Sequence, residues 1–148
     1  MGEGADVALA RLQQLEDVRE IQGLIHRYAW HVPRCEGAAV VALFADDGEF
    51  DSGGRISRGR EELAAYFAVL PPNITIPLIS NIIVDLQGDR ATSTCKMYTP
   101  WVGDGPPLVG FYEDEFQRVD GRWRLSRRVY RVHERPAQGT AVPAGATK

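Results

Sequence analysis

The feature that most constrains this fold is a pair of alternating apolar and polar segments joined by Asp120-Gly121. An Asp-Gly dipeptide between two such segments predicts a β-hairpin, because both residues accept the positive φ of a type I′ turn. A two-residue turn pairs Val119 with Arg122 and fixes which side chains share a face. The sequence therefore predicts two long antiparallel strands, Leu108–Val119 and Arg122–His133.

One carboxylate falls on the apolar face of this hairpin. In the predicted register Asp114 shares its face with Leu108, Gly110, Tyr112 and Phe116, and it lies opposite Arg127. Asp114 is then either a structural ion pair with Arg127 or a general acid or base, with its proton affinity set by burial against that arginine. On the other face, Glu113 is predicted to pair with Arg128.

Length and composition restrict the class of protein. The chain has 148 residues and a net charge of -3 at pH 7, which is the size of one domain and gives no basic surface for nucleic acid. No apolar segment has the length of a membrane span, and the first residues lack the pattern of a signal peptide, so we expect a cytoplasmic protein. Cys35 and Cys95 have neither metal-ligand nor disulfide spacing and are predicted to be reduced thiols.

Helical patterns occupy the first half of the chain. Apolar residues recur every three or four positions along a predicted amphipathic helix that ends near His31, before Pro33: Leu12, Leu15, Val18, Ile21, Leu24, Ile25 and Tyr28. A short helix is predicted over residues 37–44, and a third helix begins at Arg58 and stops at Pro71-Pro72.

Strands dominate the second half. A short strand is predicted at residues 49–51, followed by long strands over 74–86, 90–102 and the hairpin described above. This order predicts an α+β domain, residues 1–134, with a curved antiparallel sheet over the helices, and a disordered tail over 135–148. Since residues 74–84 are apolar on both faces, we also expect a homodimer formed through the outer face of the sheet.

Five segments in this order resemble the nuclear-transport-factor-2-like superfamily, and specifically its SnoaL-like enzymes. The resemblance covers roughly residues 14–133 and is carried by residues 15–30 (LEDVREIQGLIHRYAW), 42–51 (ALFADDGEFD), 58–67 (RGREELAAYF), 79–92 (ISNIIVDLQGDRAT) and 110–128 (GFYEDEFQRVDGRWRLSRR). It implies a cone-shaped α+β fold with a deep apolar pocket. Members include ketosteroid isomerase, scytalone dehydratase, limonene epoxide hydrolase and polyketide cyclases, which use no metal or organic cofactor, as well as catalytically silent binding modules.

The resemblance transfers some family residues and not others. Tyr28 matches the tyrosine of the first helix, and Tyr112 with Asp114 matches the tyrosine and carboxylate of a later strand. The position at which many family dehydratases carry an aspartate holds Pro33, and the position of their strand histidine holds Pro77. Neither proline can transfer a proton, so the resemblance implies that the usual Asp-His dehydration pair is absent.

The candidate catalytic residues are Tyr28, His31 and Asp114. His31, one turn after Tyr28, is either a proton carrier, because imidazole titrates near neutral pH, or a residue that caps the helix end. Tyr28 either donates a hydrogen bond to a developing oxyanion or only packs in the core.

The candidate substrate-binding residues are Asn81, Met97, Trp101, Tyr112 and Arg127, the last as the partner that orients Asp114. A three-residue loop, Gln87–Asp89, would direct Asn81 inward with Met97 and Trp101, whereas a two-residue loop would reverse one strand. Met97 and Trp101 would form a flat apolar lining, although simple core packing also explains Met97.

Together with these residues, the resemblance implies an isomerase, dehydratase or cyclase that acts by acid-base chemistry on a hydrophobic, oxygenated, polyketide- or steroid-like molecule, without a cofactor. The alternative is a noncatalytic binding or assembly module of the same fold, which the two prolines favour. An open cavity on which Tyr28, His31 and Asp114 converge would favour the enzyme, and a filled cavity would favour the module.

Overall fold

The computed structural model describes residues 2–100 and 104–133. The helices are α1 (Gly2–His31), followed by a 3₁₀ turn (Val32–Arg34), α2 (Gly37–Val41) and α3 (Gly59–Ala68). The strands are β1 (Phe44–Ser52), β2 (Arg55–Arg58), β3 (Leu78–Gln87), β4 (Arg90–Thr99), β5 (Leu108–Val119) and β6 (Arg122–Val132). The α+β class is confirmed. The predicted tail over residues 135–148 and the predicted site residue Trp101 lie outside the described residues.

The six strands form one curved, unclosed sheet in the order β2-β1-β6-β5-β4-β3. Four neighbouring pairs are antiparallel, and three of these join the predicted long strands β3 to β6, but β1 runs parallel to β6. The short strand predicted at residues 49–51 is part of β1, which is nine residues long. Strand β2 was not predicted. Residues 45–48, which have the composition of a turn, lie within β1. A Cβ on Gly48 would come within 2.9 Å of atoms of Phe44 and Ala45.

The β5–β6 hairpin has the predicted turn but a different partner for Asp114. Val119 pairs with Arg122, yet Phe116 pairs with Leu125 and Glu115 with Arg127, so one extra residue, Ser126, forms a β-bulge. The bulge moves Arg128 onto the inner face opposite Asp114. The predicted partner, Arg127, instead points outward, where its Nε donates to Glu49 at 3.1 Å.

The same bulge changes the partner predicted for Glu113 on the outer face. Arg128 is turned inward, and Arg131 donates to Glu113 at 3.0 Å in its place. The prediction of a Glu113–Arg128 pair was therefore wrong.

The β3–β4 hairpin departs from the predicted three-residue loop. Gln87 pairs with Arg90, so Gly88-Asp89 is a two-residue turn, and a bulge lies between Ser80 and Ile83. Asn81 belongs to this bulge, has a positive φ of 52° and is exposed. The prediction that Asn81 points inward was wrong, although the bulge restores the alternation and places Ile79 opposite Met97 on the inner face.

Helix α1 covers the concave face of the sheet with the second half of its predicted stripe. Ile21, Leu24 and Ile25 are buried, as is Tyr28, whereas Leu12 and Leu15 are 52% and 69% exposed. No helix among the described residues is long and apolar enough to cross a membrane.

A polar cluster fastens α1 to the β5–β6 hairpin. The buried Asp17 carboxylate accepts hydrogen bonds from Trp123 Nε1 at 3.0 Å and from Arg118 Nη2 at 2.9 Å. The Arg118 guanidinium lies 4.5 Å from the centroid of the Trp123 ring. Burial favours the neutral acid, but hydrogen bonds from Arg118, Trp123 and Gln13 hold the pKa of Asp17 below its ordinary value.

We predict that Asp17→Asn lowers the free energy of unfolding by about 1–3 kcal/mol at neutral pH, since Arg118 loses the more buried of its two carboxylate partners, Asp17 and Asp89. Because the pKa is lower in the folded state, this stabilisation is present above the unfolded pKa of roughly 4 and is lost as the pH falls through the folded value. Urea denaturation across the acid range measures both effects. Glu61→Gln, at an exposed position, is the control, and an equal loss in both variants would contradict the assignment.

The outer face of the sheet carries the apolar residues on which the predicted homodimer depends. Ile83 is 61% and Tyr98 43% exposed, and Leu78 and Val109 flank Tyr98 on the neighbouring strands. The dimer stays a prediction.

If the dimer forms through this face, Ile83→Glu should raise its dissociation constant by about tenfold or more, because a charge would be buried at the interface. Light scattering over a concentration series measures the change. Leu12→Glu, at an exposed apolar position on α1, is the matched control. Dissociation by Leu12→Glu alone would exclude the sheet face.

Candidate functional site

A cavity of about 300 Å³ lies between the second half of α1, α3 and the inner face of the sheet. Its walls are mainly apolar and include Val32, Phe67, Leu70, Pro77, Met97 and Leu108. The volume is at the lower end of the range for small-molecule sites, roughly 300–1,000 Å³. The cavity can therefore enclose a compact apolar molecule.

Four tyrosines from four different elements line this cavity: Tyr28 on α1, Tyr66 on α3, Tyr112 on β5 and Tyr130 on β6. The Tyr28 and Tyr112 rings meet edge to face with centroids 5.7 Å apart, and Tyr130 lies 5.7 Å beyond Tyr112. Tyr66 donates a hydrogen bond to Ser52 Oγ at 2.9 Å. No described residue hydrogen-bonds the hydroxyls of Tyr28 or Tyr112, so a ligand can accept from both.

Both of these phenols are held in the protonated form. Burial raises the pKa of Tyr28 well above its ordinary value, and the neighbouring Tyr112 adds to this effect. Burial likewise raises the pKa of Tyr112, although the positive charge of Arg128 opposes the shift in each case. At neutral pH both tyrosines are therefore hydrogen-bond donors.

Asp114 and Arg128 form a fully buried ion pair that does not line the cavity. Arg128 Nε donates to Asp114 Oδ1 and Nη2 donates to Oδ2, each at 2.7 Å, and Ser93 Oγ donates to Oδ2 at 3.3 Å. Both side chains are 0% exposed. Burial disfavours the charged guanidinium, but the carboxylate raises the pKa of Arg128 above its ordinary value, so the guanidinium keeps its positive charge.

The Arg128 guanidinium also contacts the two phenol rings. Its Cζ lies 4.2 Å from the ring centroid of Tyr28 and 4.2 Å from that of Tyr112, which is cation–π geometry. Its Nη1 is buried and has no hydrogen-bond partner among the described residues. The charged pair therefore forms a layer directly behind the tyrosines of the cavity wall.

His31 lies apart from these groups. Its Nδ1 is 2.5 Å from Glu36 Oε2, and Arg34 also donates to Glu36. Hydrogen bonds from His31 and Arg34 lower the pKa of the Glu36 carboxyl. His31 does not line the cavity, so the expected convergence of His31 with Tyr28 and Asp114 is not seen.

The structure thus brings together part of the predicted set. Tyr28, Met97 and Tyr112 line the cavity, whereas Asn81 and Arg127 do not. Within residues 2–100 and 104–133, no group of three or more histidine, cysteine, aspartate or glutamate side chains could hold a metal ion.

Sequence reasoning missed Tyr66, Tyr130 and Arg128. Tyr66 shares one side of the predicted third helix with Leu63, Phe67 and Leu70, and this spacing is the sequence signal that it faces the interior. Tyr130 pairs with Tyr112, and Arg128 with Asp114, only because of the bulge at Ser126, which no sequence signal marks.

Comparison with known proteins adds a family and a fold. A family model described as a SnoaL-like domain matches residues 13–129. A nuclear-transport-factor-2-like protein with a cystatin-like fold from Novosphingobium aromaticivorans is 27% identical, with a TM-score of 0.79, and the match covers 93% of this chain and 94% of that one. No protein of curated function matches the sequence significantly.

Two further solved structures share the fold at 24% identity. One is a protein of unknown function from Mycobacterium tuberculosis, with a TM-score of 0.74 over 90% of this chain and 83% of that one. The other is a putative scytalone dehydratase from Novosphingobium aromaticivorans, with a TM-score of 0.67 over 82% of this chain and 87% of that one. At this identity the likeness concerns the fold.

Removing one member of the buried pair should be costly. We predict that Asp114→Ala lowers the free energy of unfolding by about 3–5 kcal/mol, because it leaves the Arg128 charge buried without a partner. The matched control is Glu113→Ala, which removes the exposed pair with Arg131 and should cost less than about 1 kcal/mol. Denaturant unfolding measures both, and similar losses would show that Arg128 is not held as an ion pair.

Proposed function

The chain belongs to the family of SnoaL-like domains, and from this premise we propose that its cavity binds a hydrophobic, oxygenated small molecule and promotes acid-base chemistry on it. The observation that carries the proposal is the pair of protonated phenols, Tyr28 and Tyr112, side by side on the wall of an apolar cavity. Apolar walls favour a carbon skeleton, and two converging donors favour an oxygen on it.

The size of the cavity narrows the ligand. A volume of about 300 Å³ is at the lower end of the range for small-molecule sites. This volume suits a molecule of about two fused rings better than a complete four-ring steroid. The proposed substrates are therefore bicyclic ketones, enones or phenols, as found in small polyketides or parts of steroids.

The proposed chemistry follows from the hydrogen-bond donors. Hydrogen bonds from Tyr28 and Tyr112 would stabilise negative charge that develops on a substrate oxygen, as in an enolate or alkoxide. Isomerisation, dehydration and aldol-type cyclisation all pass through such a charge. The fold shared with a putative scytalone dehydratase is consistent with this class of reaction. The proposal gives the donor role to the phenols rather than to His31 or Asp114, since neither of those lines the cavity.

Noncatalytic binding is a second candidate, and one observation favours it. Among the described residues, the cavity wall includes no carboxylate and no imidazole that could accept a proton from carbon. Pro77, which lies at the position of the family's strand histidine, forms part of the wall instead. A binding module would use the same two phenols to hold a ligand oxygen without changing the ligand.

The proposal predicts different effects for tyrosines inside and outside the cavity. Tyr28→Phe and Tyr112→Phe should each weaken binding of naphthol and of a bicyclic enone by about tenfold, because each removes one donor to the ligand oxygen. Isothermal titration calorimetry measures the affinity. Tyr98→Phe, on the outer face of the sheet, is the matched control and should leave the affinity unchanged.

Turnover separates the enzyme from the binding module. If the protein isomerises the enone, Tyr28→Phe should reduce kcat by about a hundredfold or more, as loss of an oxyanion donor does. Ultraviolet absorbance of the conjugated ketone follows the reaction. Weakened binding with no turnover of any ketone, phenol or alcohol tested would favour the noncatalytic module. Unchanged affinity in both cavity variants would reject the proposed site.

A further inference from the structure

The buried guanidinium of Arg128, behind the cavity wall, can do more than pack against its neighbours. Arg128 is bound to Asp114 by two of its nitrogens, and its remaining nitrogen, Nη1, has no hydrogen-bond partner among the described residues. The guanidinium carbon is equally close, at 4.2 Å, to the rings of Tyr28 and Tyr112. One fixed positive charge therefore serves both phenols.

The environment makes this charge effective. The pair is fully buried, so water does not screen the field between the guanidinium and the phenol rings. A unit charge about 6 Å from an oxygen, at an effective dielectric constant of about 20, changes the pKa of that oxygen by about two. The Asp114 carboxylate offsets part of this effect, but its influence on each tyrosine is smaller than that of Arg128.

We infer that Arg128 is a positioning residue that sets the donor strength of Tyr28 and Tyr112, and that Asp114 holds its guanidinium in place. The pair acts as a fixed dipole with its positive end toward the phenols. Negative charge on an oxygen that accepts from those phenols is stabilised through them, without contact between the substrate and either charged group. The use of this effect in turnover rests on the proposed function, whereas the effect on the phenols does not.

Three further titratable side chains lie around the two phenols: Cys95, Tyr130 and Tyr66. Cys95 on β4 is buried, which raises the pKa of its thiol to about 11. Tyr130 on β6 and Tyr66 on α3 are the remaining neighbours that influence them. Among the described residues, Arg128 and Asp114 are thus the charged groups whose removal should change the pKa of the two phenols.

The test is a titration that needs no substrate. Tyr28 is replaced in the full chain by difluorotyrosine, whose phenol ionises closer to neutral pH, and its pKa is measured by fluorine NMR. The neutral pair Asp114→Asn with Arg128→Gln should raise that pKa by about one, because the positive end of the dipole is lost. Asp114→Asn alone should lower it, because the guanidinium is no longer neutralised. Opposite shifts in these variants are not expected of a merely structural pair.

A second, partly buried pair supplies the control. Asp17→Asn with Arg118→Gln also neutralises a carboxylate and an arginine bound to each other, at the other end of the hairpin. This control should lose stability and leave the pKa of the fluorinated Tyr28 unchanged. Where the neutral pair at Asp114 fails to fold, Arg128→Lys keeps the positive charge, and the expected result is a pKa close to that of the parent.

The outcomes are decisive in each direction. An unchanged pKa in the neutral pair, a pKa that does not fall in Asp114→Asn, or a large rise in Arg128→Lys would overturn the inference. Shifts with the expected signs, absent in the Asp17/Arg118 control, would establish it. The binding experiments with Tyr28→Phe test the proposed function separately, so failure of either proposal is recognised without reference to the other.

Discussion

The bidentate ion pair between Asp114 and Arg128 is the constraint around which the interior of this domain is arranged. Removing two charges from water costs several kcal/mol per ion, and only close, well-aligned partners offset that cost. Here both carboxylate oxygens are occupied and the guanidinium is enclosed by two aromatic rings. The pair can form only if β5 and β6 keep one register and α1 brings Tyr28 over the same point. The polar interaction therefore specifies how helix and hairpin meet, while apolar burial supplies the driving force.

This arrangement separates the groups that can contact a ligand from the groups that carry charge. The groups that can touch a ligand are neutral phenols, and the groups that carry charge lie one layer deeper. A ligand oxygen can therefore meet strong donors without the cost of desolvating an exposed ion at each binding event. The chemistry available to such a site is stabilisation of developing negative charge, whereas a residue that removes a proton from carbon is not among the described residues of the wall. This is why the same geometry supports both an enzyme and a binding module.

Local sequence patterns predicted the parts of the site that depend on periodicity and turn type. The Asp-Gly turn fixed the start of the hairpin register, and alternation from that turn placed Tyr112 and Asp114 inward. The spacing on α1 placed Tyr28 inward, while Leu12 and Leu15 followed the same pattern but are exposed. The sequence pattern did not predict where the pairing register of a hairpin changes by one residue. Asn81 was misplaced because the β3–β4 turn has two residues rather than three, and Arg127 was misplaced because of the bulge at Ser126. The parallel pairing of β1 with β6 was missed because nothing local encodes a contact between distant segments.

The bulge at Ser126 links the site to the architecture of the whole sheet. Without the extra residue, alternation would bring Arg127 inward and turn Arg128 toward solvent. With it, Arg128 reaches Asp114, and Arg127 is freed to bind Glu49 on β1. Glu49 and Arg127 are also paired across the parallel β1–β6 contact, through which β1 and β2 extend the sheet to six strands. One inserted residue thus has two consequences: it selects which arginine lies behind the phenols, and it gives the neighbouring arginine the partner that helps to hold β1 in place. The position of the buried Arg128 charge and the pairing of β1, which carries Phe50 and Ser52 into the cavity wall, depend on the same bulge.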